Sequence, residues 1–549
     1  MNALSPIDPI TLEVLRYRLE GIAEDMQATL IRVAFSPIVR EGMDASAAIF
    51  LADGRSLAQS SSIPLHLGAL IPSVRAVLDA FPCATMSAGD VYIVNDPYHG
   101  GTHLPDIAVI TPVVIDGTVE MLATSMAHHQ DVGGMRAGSV PTDAVEIFQE
   151  GLRLPPLRLV HAGVMDRQLF DLVRLNVRLP DVLAGDLAAQ FSAGEIAAAR
   201  VADLAREYGG ALVLRACSAL IARAEIMTRA AIRALPDGIY RYEDALDNDG
   251  VHPDRRIVIR LALKIAGEAI DLDFTGTSPQ VIGPVNCVPS GTLAAAFFVL
   301  RGISDPATPT NAGCLVPLTL NLPEGSLLSP RAPAPVNARM ATVKLVTNVI
   351  MGALAQAALG AIPAPNCGMS LILAFSGRDI SGHPFVVSEI IAGGAGAAAS
   401  SDGADTISGD IGNAMNMPAE AMEMAAPLRV RELSLRDNSG GRGQHDGGRG
   451  CCREYEALTD NIQVSHRGER FYVVPAGVAG GGSPQPSRSM VLRADGTIES
   501  LNSKAILTLQ RGDRLRVETT GGAGFGYPAT GDLPDRIPGP QPSVSSEAG

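Results

Sequence analysis

The sequence predicts a multi-domain α+β protein, and three observations lead to this prediction. The chain has 549 residues, more than one hydrophobic core usually organises, so about two to four domains are expected. Helical periodicity is confined to a few long stretches, whereas short apolar runs of strand type occupy much of the rest. Apolar residues make up 46% and charged residues 18%, which excludes a disordered or collagen-like chain.

The N-terminal region is predicted to begin with a helix and continue as strands. Asp8-Pro9 is a helix start, because a capping residue precedes a proline at the first helical position. Apolar residues then recur every three or four positions to about Ala34. A β-hairpin is predicted around the turn 52–54. Short strands follow at 91–94, 107–114 and 119–127, separated by loops rich in Gly, Pro, His and Asp.

The later elements alternate between Ala-rich helices and short strands. They are, in order, helices over 187–233 with a break at Gly209-Gly210, a hairpin over 257–274, and helices near 293–300 and 343–359. The Gly/Ala run 392–401 is either a loop or a close-packed backbone segment. Beyond 427, short strands alternate with Gly clusters, which we interpret as tight β-turns in preference to anion-binding loops.

These elements divide the chain into four predicted regions. They are an N-terminal metal-site domain with long helices (1–236), a mixed domain of sheet and Ala-rich helices (237–426), a β-rich domain (427–528) and a disordered tail (529–549).

The net charge indicates which classes of partner are expected, and the cysteine content indicates the cellular compartment. The 43 basic and 58 acidic residues give a net charge of −15, which disfavours nucleic acid and anionic membranes as partners. The longest apolar stretch, 349–362, is too short for a bilayer and predicts a buried helix. The seven scattered cysteines contain no CxxC pair, and no secretory signal is visible, so we expect reduced thiols and a cytoplasmic location.

The histidines are the most informative feature of the sequence. Five of the ten lie between positions 66 and 129, namely His66, His99, His103, His128 and His129. Carboxylates and glycines surround them in the segments 95–106 (NDPYHGGTHLPD) and 127–134 (AHHQDVGG), and 40–44 (REGMD) lies upstream. Ordinary loop histidines are the alternative interpretation. Five of them beside carboxylates, in a chain otherwise poor in histidine, favour a metal site.

The donor types indicate which ion such a site would take. Imidazole and carboxylate together suit zinc, manganese or iron. The spacing His103-x-x-Asp106 allows a bent loop to direct both side chains at one ion, and His128 ends an apolar strand. Two histidines with one or two carboxylates leave coordination positions open, as a catalytic site requires. His66 and His99 are interpreted as supporting residues.

Nucleotide-binding loops are absent from the sequence. No glycine-lysine pair of the P-loop type occurs, and no GxGxxG segment is found. Asp410-Ile411-Gly412-Asn413 resembles a phosphate loop only weakly. If the chemistry uses ATP, the nucleotide site is therefore expected on another chain.

Motifs distributed along the chain resemble the B-type component of the hydantoinase/oxoprolinase family, to which a subunit of acetone and acetophenone carboxylases is related. They are 8–14 (DPITLEV), 40–46 (REGMDAS), 65–68 (LHLG), 95–106, 128–134 (HHQDVGG), 273–277 (DFTGT), 437–443 (DNSGGRG), 475–481 (PAGVAGG) and 520–526 (TGGAGFG). The segment 465–470 (SHRGER) and the short C-terminus depart from the family pattern.

The resemblance implies a ligand set and a partner. The family's metal ligands match Glu41, His103, Asp106 and His128 here, with Asp44 then orienting a ligand. Asp44 lies only three residues from Glu41, and a one-turn helix would place both on one side. In the family, ATP binds to a separate A-type component (hydantoinase A-like), so the resemblance implies a hetero-oligomer that receives ATP through its partner.

The leading functional hypothesis is an ATP-dependent cyclic-amide hydrolase that opens small hydantoin, 5-oxoproline or lactam rings. His129 or Asp131, next to the ligand His128, is predicted to carry the proton. One alternative is a component of an ATP-dependent ketone carboxylase, which would use the same ligands. A second is a non-catalytic scaffold for the A-type component.

Overall fold

The structure is a computed structural model that describes residues 7–528, so the predicted tail lies outside the described residues. Within this range the helices are α1 (Pro9–Val33), α2 (Pro37–Arg40), α3 (Pro64–Ala80), α4 (Arg167–Leu175), α5 (Pro180–Tyr208), α6 (Gly210–Arg233), α7 (Pro289–Ile303), α8 (Arg339–Ala357) and α9 (Ala419–Ala425). The mixture of helices and several sheets confirms the α+β prediction.

The strands form four sheets. The first two contain β1 (Ala45–Leu51), β2 (Ser56–Gln59), β3 (Val91–Val94), β4 (Asp106–Ile115), β5 (Thr118–His128), β6 (Leu157–His161), β7 (Val164–Met165), β8 (Gly238–Leu246), β9 (Ile257–Ala266), β10 (Ala269–Asp273) and β11 (Leu318–Asn321). The other two contain β12 (Leu371–Arg378), β13 (Pro384–Ile391), β14 (Leu428–Leu435), β15 (Cys451–Ala457), β16 (Ile462–Arg467), β17 (Arg488–Leu492), β18 (Ile498–Leu501), β19 (Lys504–Leu509) and β20 (Arg514–Glu518).

A seven-stranded antiparallel sheet with helices on both faces forms the N-terminal region. Its order is β2-β1-β5-β4-β3-β6-β7. Helices α1, α5 and α6 bury one face of the sheet, and α3 covers the other. The Asp8 side chain caps α1 by accepting the Thr11 N–H at 2.9 Å, which agrees with the predicted helix start. The central β4–β5 hairpin is therefore held rigidly on both sides.

The second sheet, β11-β10-β9-β8, packs against α7 and α8. Helix α8 is apolar and long enough to cross a membrane by length and composition, but 61% of this stretch is buried inside the protein. Its apolar residues belong to the largest core cluster, which also contains Ile259, Leu263 and Phe274. This placement agrees with the buried helix predicted near residues 349–362.

Two further sheets, β13-β12-β16-β19 and β14-β15-β20-β17-β18, share one core. Strand β12 pairs with β16, so that Ile372 lies opposite Arg467. The predicted boundary at 427 therefore falls between strands of one sheet. The sequence pattern could not reveal this pairing, because it joins segments about 90 residues apart in the chain.

The Gly-rich segments pack backbone against backbone, and we call this feature the glycine array. It contains residues 393–404, 440–450, 477–482 and 521–526, joined by hydrogen bonds such as Gly448 N–H to Ala395 O and Gly522 N–H to Gly448 O. A β-carbon on Gly522 would lie 1.9 Å from Ala395 O. Beyond 427, the turn prediction holds at 479–480, where Gly480 has a φ of +97°, but is wrong for most of 440–450 and 521–526. Of the two alternatives for the Gly/Ala run 392–401, the structure shows close-packed backbone.

Replacing Gly522 by alanine is expected to lower the free energy of unfolding by about 3 kcal/mol, because the new methyl group has to displace backbone. Chemical denaturation measures the change. Gly21→Ala is the control, since Gly21 lies within α1 and, apart from the adjacent backbone of this helix, no described atom lies within 4 Å of the new carbon. That substitution is expected to raise stability by up to about 1 kcal/mol. Equal effects of the two substitutions would contradict the close packing.

Candidate metal centre

The end of the β4–β5 hairpin brings a carboxylate and an imidazole together. Asp106 begins β4 and His128 ends β5, and the two residues lie directly opposite each other in the strand register. Directly opposed side chains of an antiparallel pair share one face of the sheet. The turn before β4 adds His103, whose Nε2 lies 3.0 Å from Asp106 Oδ1. One ligand atom from each of these three residues lies within 4.8 Å of the others.

Glycines shape the loops that carry these residues. Gly100 and Gly133 have φ values of +95° and +86°, a region that favours glycine. Gly101 has no such φ, but a β-carbon there would lie 2.3 Å from Asn95 O. Positive φ and close backbone approach, the two conformational uses of glycine, are thus both present beside the candidate centre.

Asp106 is fully buried and surrounded by positively charged or polar donors. Arg339, the first residue of α8, donates to Asp106 Oδ2, and Thr102 Oγ1 donates to the same oxygen. Burial alone would raise the pKa of Asp106, but His103 and Arg339 hold it well below its usual range. The carboxylate therefore stays ionised and available to a cation.

The two imidazoles are in the form that metals bind. Burial and the nearby Arg339 lower the pKa of His103 to about 4, and burial with the charge of His103 lowers that of His128. Both rings are therefore neutral near pH 7. His103 Nδ1 lies 3.3 Å from Asn337 O, whereas the buried His128 Nδ1 has no hydrogen-bond partner within residues 7–528. Neutral rings, an orphaned nitrogen and an ionised carboxylate fit a divalent transition ion.

Asp44, rather than Glu41, lines the same cavity. Asp44 is 5% exposed, its Oδ1 lies 3.4 Å from His66 Nε2, and its main-chain carbonyl accepts the His128 N–H. Burial and the charge of Asp106 raise the pKa of Asp44 to about 8, so the ionised form of this carboxyl needs a cation nearby.

The structure does not bring Glu41 to the cluster. Its side chain is 34% exposed and forms an ion pair with Arg40 at 3.6 Å. The expected one-turn helix across both residues does not form, because α2 ends at Arg40 and Met43 reverses the chain with a φ of +53°. Glu41 as a ligand remains a prediction that this geometry does not support, and we propose Asp44 in its place.

Asp44→Asn is expected to weaken zinc binding by about 10-fold or more, because the amide removes the negative charge from the cavity wall. Glu41→Gln is the matched control and is expected to leave the affinity unchanged. Competition with a chromophoric chelator measures both constants. The reverse order of effects would restore Glu41 as the fourth ligand.

The structure does not bring the predicted proton carriers His129 and Asp131 to the cavity. His129 follows the last residue of β5, and its Nε2 contacts Gln190 Oε1 of α5 at 3.0 Å. Asp131 accepts the N–H groups of Gly133 and Gly138 and forms an ion pair with Arg178 at 3.0 Å. These two residues stabilise the sheet face and the following loop, whereas His66 lies on the cavity wall.

Sequence reasoning missed the residues that close the cavity from other regions. Asn337 and Arg339 come from the start of α8, Arg467 from the end of β16, and Ile372 and Ser388 from β12 and β13. Arg467 Nη1 donates to Asn337 Oδ1 at 2.6 Å. The only sequence signal was that Arg467 lies in the segment 465–470, which departs from the family pattern. The space left for a water-sized occupant is about 20 Å³, close to one water molecule.

Strand β16, which supplies Arg467, also carries the buried His466. The burial of this histidine makes the free energy of unfolding depend on pH. Burial and Lys504 lower the pKa of His466 from 6.5 to about 4. The unfolded chain therefore binds this proton at higher pH than the folded chain, and stability falls as pH drops from about 6.5 to about 4. His466 alone contributes about 3 kcal/mol to this loss.

Denaturation at pH 7.5 and pH 4.5 checks this contribution. The difference is expected to shrink in His466→Gln, which keeps a polar group near Ser489 but does not titrate. His383→Gln is the control because that side chain is 79% exposed. An unchanged pH dependence in His466→Gln would contradict the assignment.

The comparison with protein families identifies the class to which this fold and site belong. A family model described as hydantoinase B/oxoprolinase matches residues 8–528, nearly the whole chain. The chain therefore belongs to the hydantoinase B/oxoprolinase family, which confirms the resemblance carried by the sequence motifs.

Curated relatives agree with this assignment. The chain is 34% identical over 483 residues to the putative B-type component of a D-/L-hydantoinase from Pseudomonas sp. (strain NS671), covering 85% of this chain and 81% of that one. It is 31% identical to the 5-oxoprolinase of Saccharomyces cerevisiae, covering 95% of this chain but only 42% of the longer protein.

Two solved structures share the fold. The ATP-dependent caprolactamase from Pseudomonas jessenii matches with a TM-score of 0.87 and 28% identity, covering 95% of this chain and 92% of that chain. Nucleotide-free acetone carboxylase matches with a TM-score of 0.88 and 20% identity, covering 94% of this chain and 76% of that chain. At that identity, the second likeness shows the fold alone.

Proposed function

We propose that the chain is the metal-carrying component of an ATP-dependent hydrolase that opens a cyclic amide of the hydantoin, 5-oxoproline or lactam type. The observation that carries the proposal is the grouping of two buried residues, His103 and Asp106, with the half-buried His128 in a member of this family. The caprolactamase, whose name states an ATP-dependent reaction on a lactam, is similar along nearly the whole length of both chains.

The proposed ligands are His103, Asp106, His128 and Asp44, and the ion is zinc, manganese or iron. Such an ion, when bound, supplies Lewis acidity toward water or a carbonyl oxygen. The protein's own contribution is to position the ligands: Arg339 fixes Asp106, and the Asn337 carbonyl orients His103. His66, with Nε2 at 3.4 Å from Asp44 and 3.7 Å from Asp106, is the further imidazole on the cavity wall that can hold a proton.

An ATP-binding A-type partner is part of the proposal. An unstrained amide carbonyl is a weak electrophile, and transfer of the terminal phosphoryl group of ATP to its oxygen, with release of ADP, would activate it. Addition of water to that carbon and cleavage of the ring C–N bond would then give an acyl phosphate, and a second water would release phosphate and leave the carboxylate. The partner would supply the nucleotide site. The proposed location of the complex is the cytoplasm, and the seven free cysteines accord with that reducing compartment.

Entry of the substrate requires part of the cavity wall to move. The space of about 20 Å³ is far below the roughly 300 Å³ or more of small-molecule sites. The wall is formed by Ile38 of α2, Val140 of the loop after β5, and strands β12 and β13. Docking of the partner on this side would be one way to open it.

The ketone carboxylase alternative uses the same ligand types but has weaker support. Its structural relative is 20% identical, against 28% for the caprolactamase. The non-catalytic scaffold alternative is disfavoured by a buried centre whose two imidazoles and carboxylate are all in the metal-binding form.

The test is to assay the chain, co-produced with an A-type partner, with ATP and a panel of cyclic amides and ketones. We expect release of a ring-opened product with ADP and phosphate, independent of bicarbonate. Bicarbonate-dependent consumption of a ketone would establish the carboxylase instead. A purified complex that contains no stoichiometric transition metal would favour the scaffold.

A further inference from the structure

The wall of the metal cavity carries buried hydrogen-bond donors that have no acceptor. Arg339 Nε, Arg467 Nε and Asn337 Nδ2 are all buried, and none has a hydrogen-bond partner in the described part of the chain. Their residues are 2%, 6% and 1% exposed, and all three line the cavity that contains His103 and His128. A buried donor without an acceptor lowers stability by about 1 to 3 kcal/mol, and by more if the donor is charged. Three such donors on one cavity wall therefore indicate that the cavity binds a ligand.

The acceptors near these donors are already engaged. Asp106 Oδ2 receives Arg339 and Thr102, and its Oδ1 contacts His103. Glu150, whose charge acts on Arg467, accepts the main-chain N–H groups of Val336 and Asn337 with its two oxygens. The Arg467 side chain forms no carboxylate ion pair among the residues described, and its one hydrogen bond goes to an amide oxygen. The excess donors therefore need an acceptor from outside the chain.

The charges favour an anionic acceptor. Burial and the nearby charge of Arg339 lower the pKa of Arg467 to about 9, while the charge of Glu150 acts in the opposite direction. The guanidinium therefore keeps its charge at neutral pH. Two like-charged guanidiniums on one cavity wall repel each other, and an oxyanion between them would remove that repulsion and accept their N–H groups. Arginine forks match carboxylate and phosphate geometry.

We propose that Arg467, together with Arg339 and Asn337, forms an anion subsite next to the candidate metal centre that receives an oxyanion carried by the substrate. The identity of that oxyanion rests on the proposed function. It is either the phosphoryl group of the activated amide or a carboxylate on the ring, as in 5-oxoproline. Arg467 is a positioning and specificity residue, since Arg339 is already committed to Asp106.

Calorimetric titration of the zinc-loaded full chain with inorganic phosphate, alone and in complex with the A-type partner, tests the subsite without requiring turnover. Loss of one charge-assisted contact is expected to weaken binding by about 10- to 100-fold in Arg467→Met. Arg467→Lys keeps the charge but not the fork and is expected to lose less. Arg453→Met is the matched control, because Arg453 is equally buried with unpartnered nitrogens but lies beside Glu389, off the cavity wall.

A second titration distinguishes the two sources of the oxyanion. 5-Oxoproline and 2-pyrrolidinone differ by one carboxylate, so a preference for 5-oxoproline that Arg467→Met abolishes identifies the ring carboxylate. Phosphate binding that depends on Arg467, without that preference, identifies the phosphoryl group. If Arg467→Met fails to fold, Arg467→Lys decides the same question.

Two outcomes would overturn the subsite. One is the absence of any phosphate or 5-oxoproline binding by the wild-type chain, both alone and in the complex, and the other is binding that the Arg467 variants leave unchanged, as expected if the anion contacts only the metal. The proposed function can be wrong while the anion subsite is right. If phosphate binds through Arg467 but the complex opens no ring, the hydrolase proposal is rejected and the subsite proposal stands.

Discussion

His128→Ala is expected to remove the bound transition metal and to lower turnover by the assembled complex by more than about 100-fold. The same result is expected for His103→Ala. Each substitution deletes one of two neutral imidazoles from a group whose ligand atoms lie within 4.8 Å, and the single imidazole and the carboxylates that remain bind a transition ion far more weakly. Metal analysis of the purified variants and an ATP-dependent ring-opening assay measure the two effects.

His99→Ala is the matched control for these variants. His99 belongs to the same cluster in the sequence, but its side chain is 56% exposed and forms an ion pair with Asp96 at 3.2 Å, away from the cavity. We expect full metal content and nearly unchanged turnover. Full activity of both His103→Ala and His128→Ala would refute the metal centre, and loss of metal in His99→Ala would mean that the ligand set is misassigned.

The isolated chain is expected to open no ring with ATP, and addition of the A-type partner is expected to create the activity. The sequence offers no P-loop, and its Gly-rich segments pack against each other in the glycine array. A β-carbon on Gly441 or Gly448 would lie about 2 Å from backbone oxygen, so these glycines leave no space for a phosphate. Nucleotide binding is therefore expected on the partner.

Separate measurements of ATP binding, ATP hydrolysis and ring opening check this prediction. A partner assembled with His128→Ala should still bind ATP but should not release ring-opened product. ATP hydrolysis coupled to ring opening by the isolated chain would contradict the prediction. The loop 410–413 would then be the first place to search, because Asp410 is buried with one carboxylate oxygen unpartnered among the residues described.

The sequence predicted those parts of the fold whose signals are local. Helix α1 begins at its cap, α5 and α6 break at Gly209, and β4 and β5 lie where the apolar runs were. Helix α3, which carries His66, was not predicted, because Pro72 interrupts it and its residues are buried on several sides. Periodicity gives little signal when a helix is buried nearly all round.

The candidate centre was predictable only where its residues are close in sequence. His103, Asp106 and His128 were found because one hairpin and the turn before it carry them. Arg339 and Arg467 were not, because tertiary contacts alone bring them to the cavity. Asp44 rather than Glu41 faces the cavity because Met43 between them has a left-handed backbone conformation. No pattern in the sequence predicts that conformation.

The glycine array also determines how much of the chain has to be synthesised before the fold can be completed. Its segments are separated by long stretches of chain, and the carbonyl oxygens of Gly522 and Gly524 accept the N–H groups of residues 441 and 478. A ribosome-bound chain that ends before residue 520 therefore lacks the final layer, whatever the state of its N-terminal sheet. Because Ile372, Ser388 and Arg467 line the metal cavity, the chain has to emerge beyond residue 467 before the N-terminal histidines are fully enclosed.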